Sequence, residues 1–245
     1  MDYRTYKFTK RELIKNIVIW ALISGVPAFF FYRSLIAWIV IFLFCPVFLK
    51  YRKKECLKKR ANRMNMEFKE LIRFLSSSLQ AGMSVENAFS CAYCDMEKLF
   101  SSEAIMTKEC EAIVHGIENN LVVEKLLLSL GERSGVEEIN EFALVFAVAN
   151  RSGGNLRDII ADTTDTINAK IEMKKEFEVA ISSKKFEQRI MCVIPFGIIG
   201  YIGITSPGYF DTLYHGFAGV TIMTICFLLY VGAFVWGEKI LDLKI

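Results

Sequence analysis

FLSSSLQAGMSVENAF, residues 74–89, and FALVFAVANRSGGNLRDII, residues 142–160, decide the fold. Each reads as an apolar helix, a break at glycine, and a new helix opening on a capping residue. Before the first break, Leu71, Phe74, Leu75 and Leu79 recur at three- and four-residue spacing, the pattern of one buried helix face. Gly82 suits the left-handed position just past a helix end, where a side chain is penalised. Ser84 then caps a helix that turns Val85, Ala88, Phe89 and Ala92 inward. In the second stretch, residues 142–149 are apolar without interruption, which predicts a helix buried on most sides. Ser152, Gly153 and Gly154 reverse the chain, and Asn155 with Asp158 three residues on resembles a capping box. Ile160, Ile167 and Ile171 continue as the apolar stripe of the next helix.

Outward from these two turns the pattern stays helical. Residues 56–80 predict one long helix. Residues 103–115 predict another, with Ile105, Ile113 and Val114 inward and breaks at Gly116 and Asn119-Asn120. A short helix over 121–130 ends at Gly131, and one over 137–150 precedes the glycine pair. The last runs from Asn155 through the polar stretch 170–189 towards an apolar run. Alternating apolar and polar residues never persist, so the expected class is all-α.

Four uncharged apolar runs flank this block, at 17–32, 35–49, 190–205 and 217–236. A membrane-crossing helix needs about 20 residues, with a lower limit near 17. Each of the first two runs is short, and together they are too long for one span. They read either as a hairpin turning at Arg33-Ser34 or as one long tilted helix. Basic residues mark the cytoplasmic side, and both flanks, 1–16 and 50–63, are rich in Lys and Arg. The hairpin is therefore preferred. The connection SPGYFDTLYHG, residues 206–216, carries no Lys or Arg, while Lys184, Lys185, Arg189, Lys239 and Lys244 flank its two runs. The expected layout is a cytoplasmic tail (1–16), a hairpin (17–49), a cytoplasmic helical domain of about six helices (50–189), a second hairpin (190–236) and a cytoplasmic tail (237–245). Both termini lie inside a multi-pass protein of the inner or plasma membrane. Tyr209, Tyr214 and Trp236 suit its interfaces, and Pro27, Pro46 and Pro195 suit kinks. Gly197, Gly200 and Gly203 recur at helical spacing and suit close helix packing, within the chain or between copies.

Charge and composition narrow the chemistry. The chain of 245 residues is 53% hydrophobic with a net charge of +3. Residues 50–63 carry eight Lys or Arg against one Glu, whereas 64–189 carry 14 basic and 21 acidic residues. A nucleic-acid binder would place its basic patch on the folded domain itself, and here that domain is acidic. Seven cysteines, at 45, 56, 91, 94, 110, 192 and 226, form an odd set that suits free thiols in a reducing compartment.

No constellation points to catalysis, a cofactor or a metal. Cys91 and Cys94 fall mid-helix, with only Cys110 and His115 as further candidates and no second pair. Ser76-Ser77-Ser78 has no histidine nearby, and Gly153-Gly154 lacks the preceding strand and Gly-Lys ending of a phosphate loop. Glu137, Glu138 and Glu141 form an acidic cluster beside Arg133, either a solvated face or a docking patch for a basic partner. The four runs contain no Asp, Glu, Lys, Arg or His, which disfavours an ion or proton pathway.

The order SSSLQAGMSVENAF, LGERSGVEEINEFALVFAVANRSGGNLRDII, then a long charged helix ending at a proline-containing apolar run, resembles the GspF-type domain. That domain is found in platform proteins of type II secretion and type IV pilus machines. Two apolar runs before a single domain and two after it look most like the Tad-pilus members of the B and C type. Gly82 matches the family's AG turn, and Arg133 with Gly153 and Gly154 match its second half. The resemblance implies a non-enzymatic platform that couples a cytoplasmic assembly ATPase to extraction of pilins or pseudopilins from the bilayer. It also implies a second platform protein of the same family as partner and assembly into homo- or hetero-oligomers. The rival classes are a transporter subunit and a membrane-anchored sensor.

Overall fold

The computed structural model describes residues 3–5, 8–32, 35–152, 155–206, 208 and 217–241. Its elements are α1 (Lys10–Pro27), a π-helical turn (Ala28–Tyr32), α2 (Leu35–Phe42), α3 (Cys45–Gln80), α4 (Val85–Phe100), α5 (Ile105–Glu118), α6 (Val123–Ser134), α7 (Glu137–Ser152), α8 (Leu156–Thr205) and α9 (Phe217–Leu241). Among the described residues there is no strand. The chain divides into two compact units. One comprises Met1–Lys7 and Lys53–Lys174, and the other comprises Phe8–Arg52 and Lys175–Ile245.

The first unit is a bundle of six helices, the later part of α3, then α4 to α7, and the first part of α8. Its core stacks aromatic rings. Phe68 of α3 meets Phe142 of α7 edge to face at 5.6 Å, Phe89 of α4 meets Phe146 at 6.3 Å, and Phe142 and Phe146 lie 6.1 Å apart. Leu71, Leu75, Leu79, Ala88, Ala92, Ile113, Ile160, Ile167 and Ile171 are buried around them, on the faces their spacing predicts.

Local signals decide several boundaries. Gly82 sits at φ +92, and α3 closes with two reversed hydrogen bonds, Gly82 N to Leu79 O at 3.0 Å and Met83 N to Ser78 O at 3.2 Å. This is the Schellman geometry, which satisfies the last carbonyls and needs a left-handed residue at that point. The Ser84 hydroxyl accepts from Asn87 N at 3.4 Å and opens α4. Asn155 contacts Asp158 through their side chains at the start of α8. Gly153 and Gly154 lie outside the described residues.

Other glycines do something different from the expectation. Gly116 and Gly131 lie inside α5 and α6 and do not end them. A Cβ on Gly116 would meet Leu126 at 2.6 Å, and one on Gly131 would meet the Asn140 backbone at 3.0 Å. These glycines mark close helix approach. The ends fall later, at Glu118 and at Gly135, which caps α6 at φ +67. α7 is also less enclosed than its apolar run implies. Phe142, Ala143, Phe146, Ala147 and Ala149 are buried, but Leu144 and Val148 are 51% and 69% exposed. With Val145, Ala149 and Ile159 they line an open apolar groove.

Among the described residues, three helices are long and apolar enough to cross a membrane: Lys10–Phe30, the helix Leu156–Thr205 through its apolar end, and Gly219–Ile240. The second apolar run, 35–49, is divided between α2 and the first turn of α3, with a break at residues 43–44. Cys45 thus begins the helix expected to begin near Cys56. Pro46 falls in its first turn, where a missing N–H is tolerated. Pro27 ends α1 at the π-helical turn, and Pro195 lies within α8, which continues as helix to Thr205. Trp38 donates to Ala21 O at 3.2 Å and Ser24 Oγ at 3.1 Å, and Trp20 donates to Phe42 O at 3.3 Å. Tyr32 donates to Thr224 Oγ1 at 3.0 Å and Tyr230 to Cys192 O at 2.8 Å. Of the three glycines read as packing positions, Gly200 has Phe30 against it, at 3.3 Å from where its Cβ would stand. Gly197 and Gly203 face open space. Trp236 is exposed, while Arg33, Ser34, Tyr209 and Tyr214 lie outside the described residues.

Candidate functional site

Two polar constructions stand out in the bundle. The first joins α7 to α8. Lys170 donates to both oxygens of Glu141, at 2.8 and 3.0 Å, and Lys174 donates to Glu138 Oε1 at 2.6 Å. Glu137 lies 3.7 Å from Lys170 and 3.9 Å from Lys174. The i, i+1 and i, i+4 spacing of the three glutamates turns them to different depths. Glu138 has 2% of its side chain exposed and Glu137 has 68%. Burial pushes the Glu138 carboxyl up, but the Lys174 hydrogen bond, the backbone bond and the two lysine charges outweigh it and hold it below the usual range. The Glu141 hydrogen bond holds Lys170 above the usual lysine range against its burial. The acidic cluster is therefore a mixed-charge face, with Glu137 outermost.

Arg133 does not join this cluster. It turns to α5 and grips Glu109 with both terminal nitrogens, at 3.2 and 2.9 Å. The same carboxylate accepts the Tyr3 hydroxyl at 2.7 Å, and Tyr3 N donates to Arg133 O at 3.0 Å. The Arg60 guanidinium lies 5.1 Å from the centre of the Tyr3 ring, close enough for a cation–π contact. Burial, and then the Glu109 hydrogen bond, raise the Tyr3 hydroxyl to about 12. Glu109 in turn holds Arg133 above its usual range.

Two further acids are buried: Glu124, which accepts from Asn150 at 2.8 Å, and Glu67. α5 starts at Ala104, which offers no side-chain cap. Glu67 of α3 supplies it, accepting Met106 N at 2.9 Å while Arg63 bonds its other oxygen at 2.9 Å. A carboxylate at a helix N-terminus satisfies an orphan donor and complements the dipole. Sequence reading missed Tyr3, Glu67, Glu109, Lys170 and Lys174, all of which act across long stretches of chain. Periodicity does hint at Glu67 and Glu109, since each falls on the buried stripe of its helix.

His115 bonds Glu118 at 2.9 Å on the exposed face of α5, and the seven cysteines are free thiols. No three His, Cys, Asp or Glu side chains come together as a metal set among the described residues.

The construction is that of a helical bundle linked by continuous helices to apolar helices long enough to cross a bilayer, a membrane protein whose folded domain carries charged faces. A family profile for the type II secretion system (T2SS), protein F, matches residues 71–204, more than half of the chain. The chain belongs to that family. Comparison with curated proteins and with solved structures returned no match.

Proposed function

We propose that the chain is a membrane platform protein of a type II secretion or Tad-type pilus assembly machine. In this reading it couples a cytoplasmic assembly ATPase to the extraction of pilins or pseudopilins from the bilayer. The observation that carries the reading is the family match itself, which runs through the bundle and on into the apolar end of α8. We place the protein in the cell membrane with four spans, both termini and the bundle inside, on the strength of its basic flanks. A second platform protein of the family is the expected membrane partner. The role is mechanical and non-enzymatic.

The outer rim of the α7–α8 face is our candidate for the ATPase contact. Glu137 and Glu141 present charge to solvent, whereas Glu138 is buried beneath them on Lys174, and Arg133 pairs with Glu109 away from this face. Charge-steered association weakens with salt, since the screening length falls from about 10 Å at 0.1 M to about 3 Å at 1 M. The test is copurification of the detergent-solubilised chain with the assembly ATPase at the two salt concentrations. Salt-sensitive capture is expected, without nucleotide hydrolysis by the chain alone. Intrinsic hydrolysis would overturn the platform reading. Cysteine labelling tests the topology: a probe at Asp211 should react from outside intact cells and one at Lys98 should not.

A further inference from the structure

Neither the core nor the ion pairs account for the apolar groove between α7 and α8. Leu144, Val145, Val148 and Ala149 line it from α7 and Ile159 from α8. Leu144 and Val148 are more than half exposed, and an exposed apolar patch with a polar rim marks an interaction site. Much of that rim carries one sign of charge. Asp158, Asp162 and Asp165 are exposed on α8 at i, i+4 and i+7, which sets them on one ridge. Asp162 follows Ile159 of the groove by three residues, so the ridge runs alongside it as a lip. Neither Asp162 nor Asp165 meets a cation among the described residues. Beside them, Thr163 and Thr166 turn their hydroxyls back to Ile159 O at 2.6 Å and Asp162 O at 2.8 Å, and so bring no unmet polar group to the lip. Along α7 the groove leads into Glu141 and Glu137, both exposed. The cations nearby are engaged elsewhere. Lys170 is held by Glu141 and Lys174 by Glu138. Arg157 reaches the turn between α3 and α4, 4.0 Å from where a Cβ on Gly82 would be. Arg151 helps Asn150 hold the Glu124 carboxyl of α6 below the usual range.

Charge selects the occupant. A second copy presenting the same face would set acid against acid, and an anionic lipid surface would be repelled in the same way. A groove between two packed helices suits a third helix, whose side-chain ridge seats in it with anchors at i, i+3 or i+4, and i+7. We propose that the α7–α8 groove receives a basic amphipathic helix of a partner protein, its apolar stripe on Leu144, Val148 and Ile159 and its Lys or Arg residues on Asp162 and Asp165 along the lip and Glu137 and Glu141 at the end. The inference rests on the docking face proposed above and deepens it. The apolar seat supplies the hold, and the carboxylates set the rate and orientation of arrival.

The test uses the full chain in phosphatidylcholine nanodiscs, with empty discs as the blank. The probe is a fluorescent helical peptide of leucine and lysine, about 18 residues or five turns long, with its leucines on one face. One control scrambles the same residues so that no apolar stripe remains, and another carries glutamate in place of lysine. The striped basic peptide should bind, the scrambled one about tenfold more weakly, and the glutamate one not at all. Val148→Asp should weaken binding about tenfold, the loss of one seated anchor. Because it adds negative charge, only loss of the apolar seat explains that result. Asp162→Lys with Asp165→Lys should have an effect of similar size. All three side chains are exposed, so the melting temperature should hold, and Leu144→Gln replaces Val148→Asp if that variant melts early. No binding of the striped peptide would overturn the proposal. Equal binding of the scrambled peptide, or binding unchanged by Val148→Asp, would overturn the helix seat. Binding unchanged by the lysine pair would overturn the acidic lip. A dimer of the full chain that Val148→Asp dissociates would put a second copy in the groove and overturn the partner helix. ATPase capture lost with Glu137→Lys but kept with Val148→Asp would overturn the seat and leave the rim contact standing. Groove-dependent peptide binding without any ATPase capture would keep the seat and remove the platform reading.

Discussion

In the bundle, the buried carboxylates of Glu67, Glu109 and Glu138 each meet a cation, and the last two meet it from another helix: Arg63, Arg133 and Lys174. In the apolar unit, the helices are tied by neutral groups: indole N–H to carbonyl and hydroxyl, and phenol to hydroxyl and carbonyl. Charged partners there include Arg52, which donates to Asn16, and Glu238, which accepts from Tyr51. The difference follows from the surroundings. A bundle in water can hold a half-buried ion pair, because its cation keeps one side wet. Lys174 and Arg133 each keep about a third of their side chains exposed. Within a bilayer no water completes the shell of an unpaired charge, so neutral donors that always find a nearby carbonyl are the economical choice.

The largest contrast should come from aromatic truncation. Phe142→Ala removes a fully buried ring that touches Phe68 and Phe146, and should cost about 3–5 kcal/mol in thermal or urea unfolding. Phe30→Ala also removes a ring that packs on Phe196 and over Gly200. Its cost in detergent should be clearly smaller, because apolar surface gains little by leaving a lipid-like medium. Equal losses would show that the two units are stabilised by the same force.

Glu138 sharpens the charge side of the comparison. Its folded carboxyl titrates below the ordinary value because the lysine bonds outweigh burial. Its contribution is therefore fully present above the unfolded glutamate value, about 4.3, and is lost as pH falls through the lower folded value. Glu138→Gln should lower stability at neutral pH by about 1–3 kcal/mol and flatten the acid limb of a melting-temperature profile between pH 7 and 3. An acid limb unchanged by the substitution would mean that Glu138 does not contribute to it.

Trp38→Phe is the neutral counterpart. It removes the N–H that Ser24 and Ala21 share, and interhelical hydrogen bonds in membranes are worth about 0.6 kcal/mol on average and rarely above 1.7. The variant should shift detergent-denaturation midpoints slightly and be insensitive to pH and salt. A loss as large as that of Glu138→Gln would erase the distinction between the two units.

What could be read in advance follows the same division between local and distant. The Gly82 turn and the Ser84 cap involve residues within five positions of each other, so the sequence carries them whole. The helix order and the apolar runs likewise follow from spacing and length. The Glu109 cluster joins Tyr3, Glu109 and Arg133, residues 106 and 24 positions apart, and no periodicity carries that information. Glu67 caps a helix 39 residues away. Gly116 and Gly131 show the ambiguity of a lone glycine, which marks a helix end or a close helix neighbour with the same letter. The apolar run of α7 misleads for a related reason: eight consecutive apolar residues must wrap the helix, so Leu144 and Val148 emerge on the far side.

The smallest stability effect is expected at Glu137, and it separates folding from docking. Its lysine contacts, at 3.7 and 3.9 Å, are long, and its side chain is mostly in solvent. Exposed pairs of this kind contribute at most a few tenths of a kcal/mol to about 1 kcal/mol. Lys170 and Lys174 keep their shorter partners, Glu141 and Glu138, when Glu137 is removed. Glu137→Lys should therefore leave the melting temperature almost unchanged, and the repulsion it adds should fade in 1 M salt. If the rim of this face meets a basic surface on the assembly ATPase, the same substitution should weaken copurification at low salt far more than it weakens the fold. Reversing Glu138 as well would confuse the two readouts, because its partner lysine would be left facing a second cation at a buried position. Full capture by the Glu137→Lys chain at low salt would remove this rim from the contact. A large drop in melting temperature would show instead that the outermost acid of the cluster is structural.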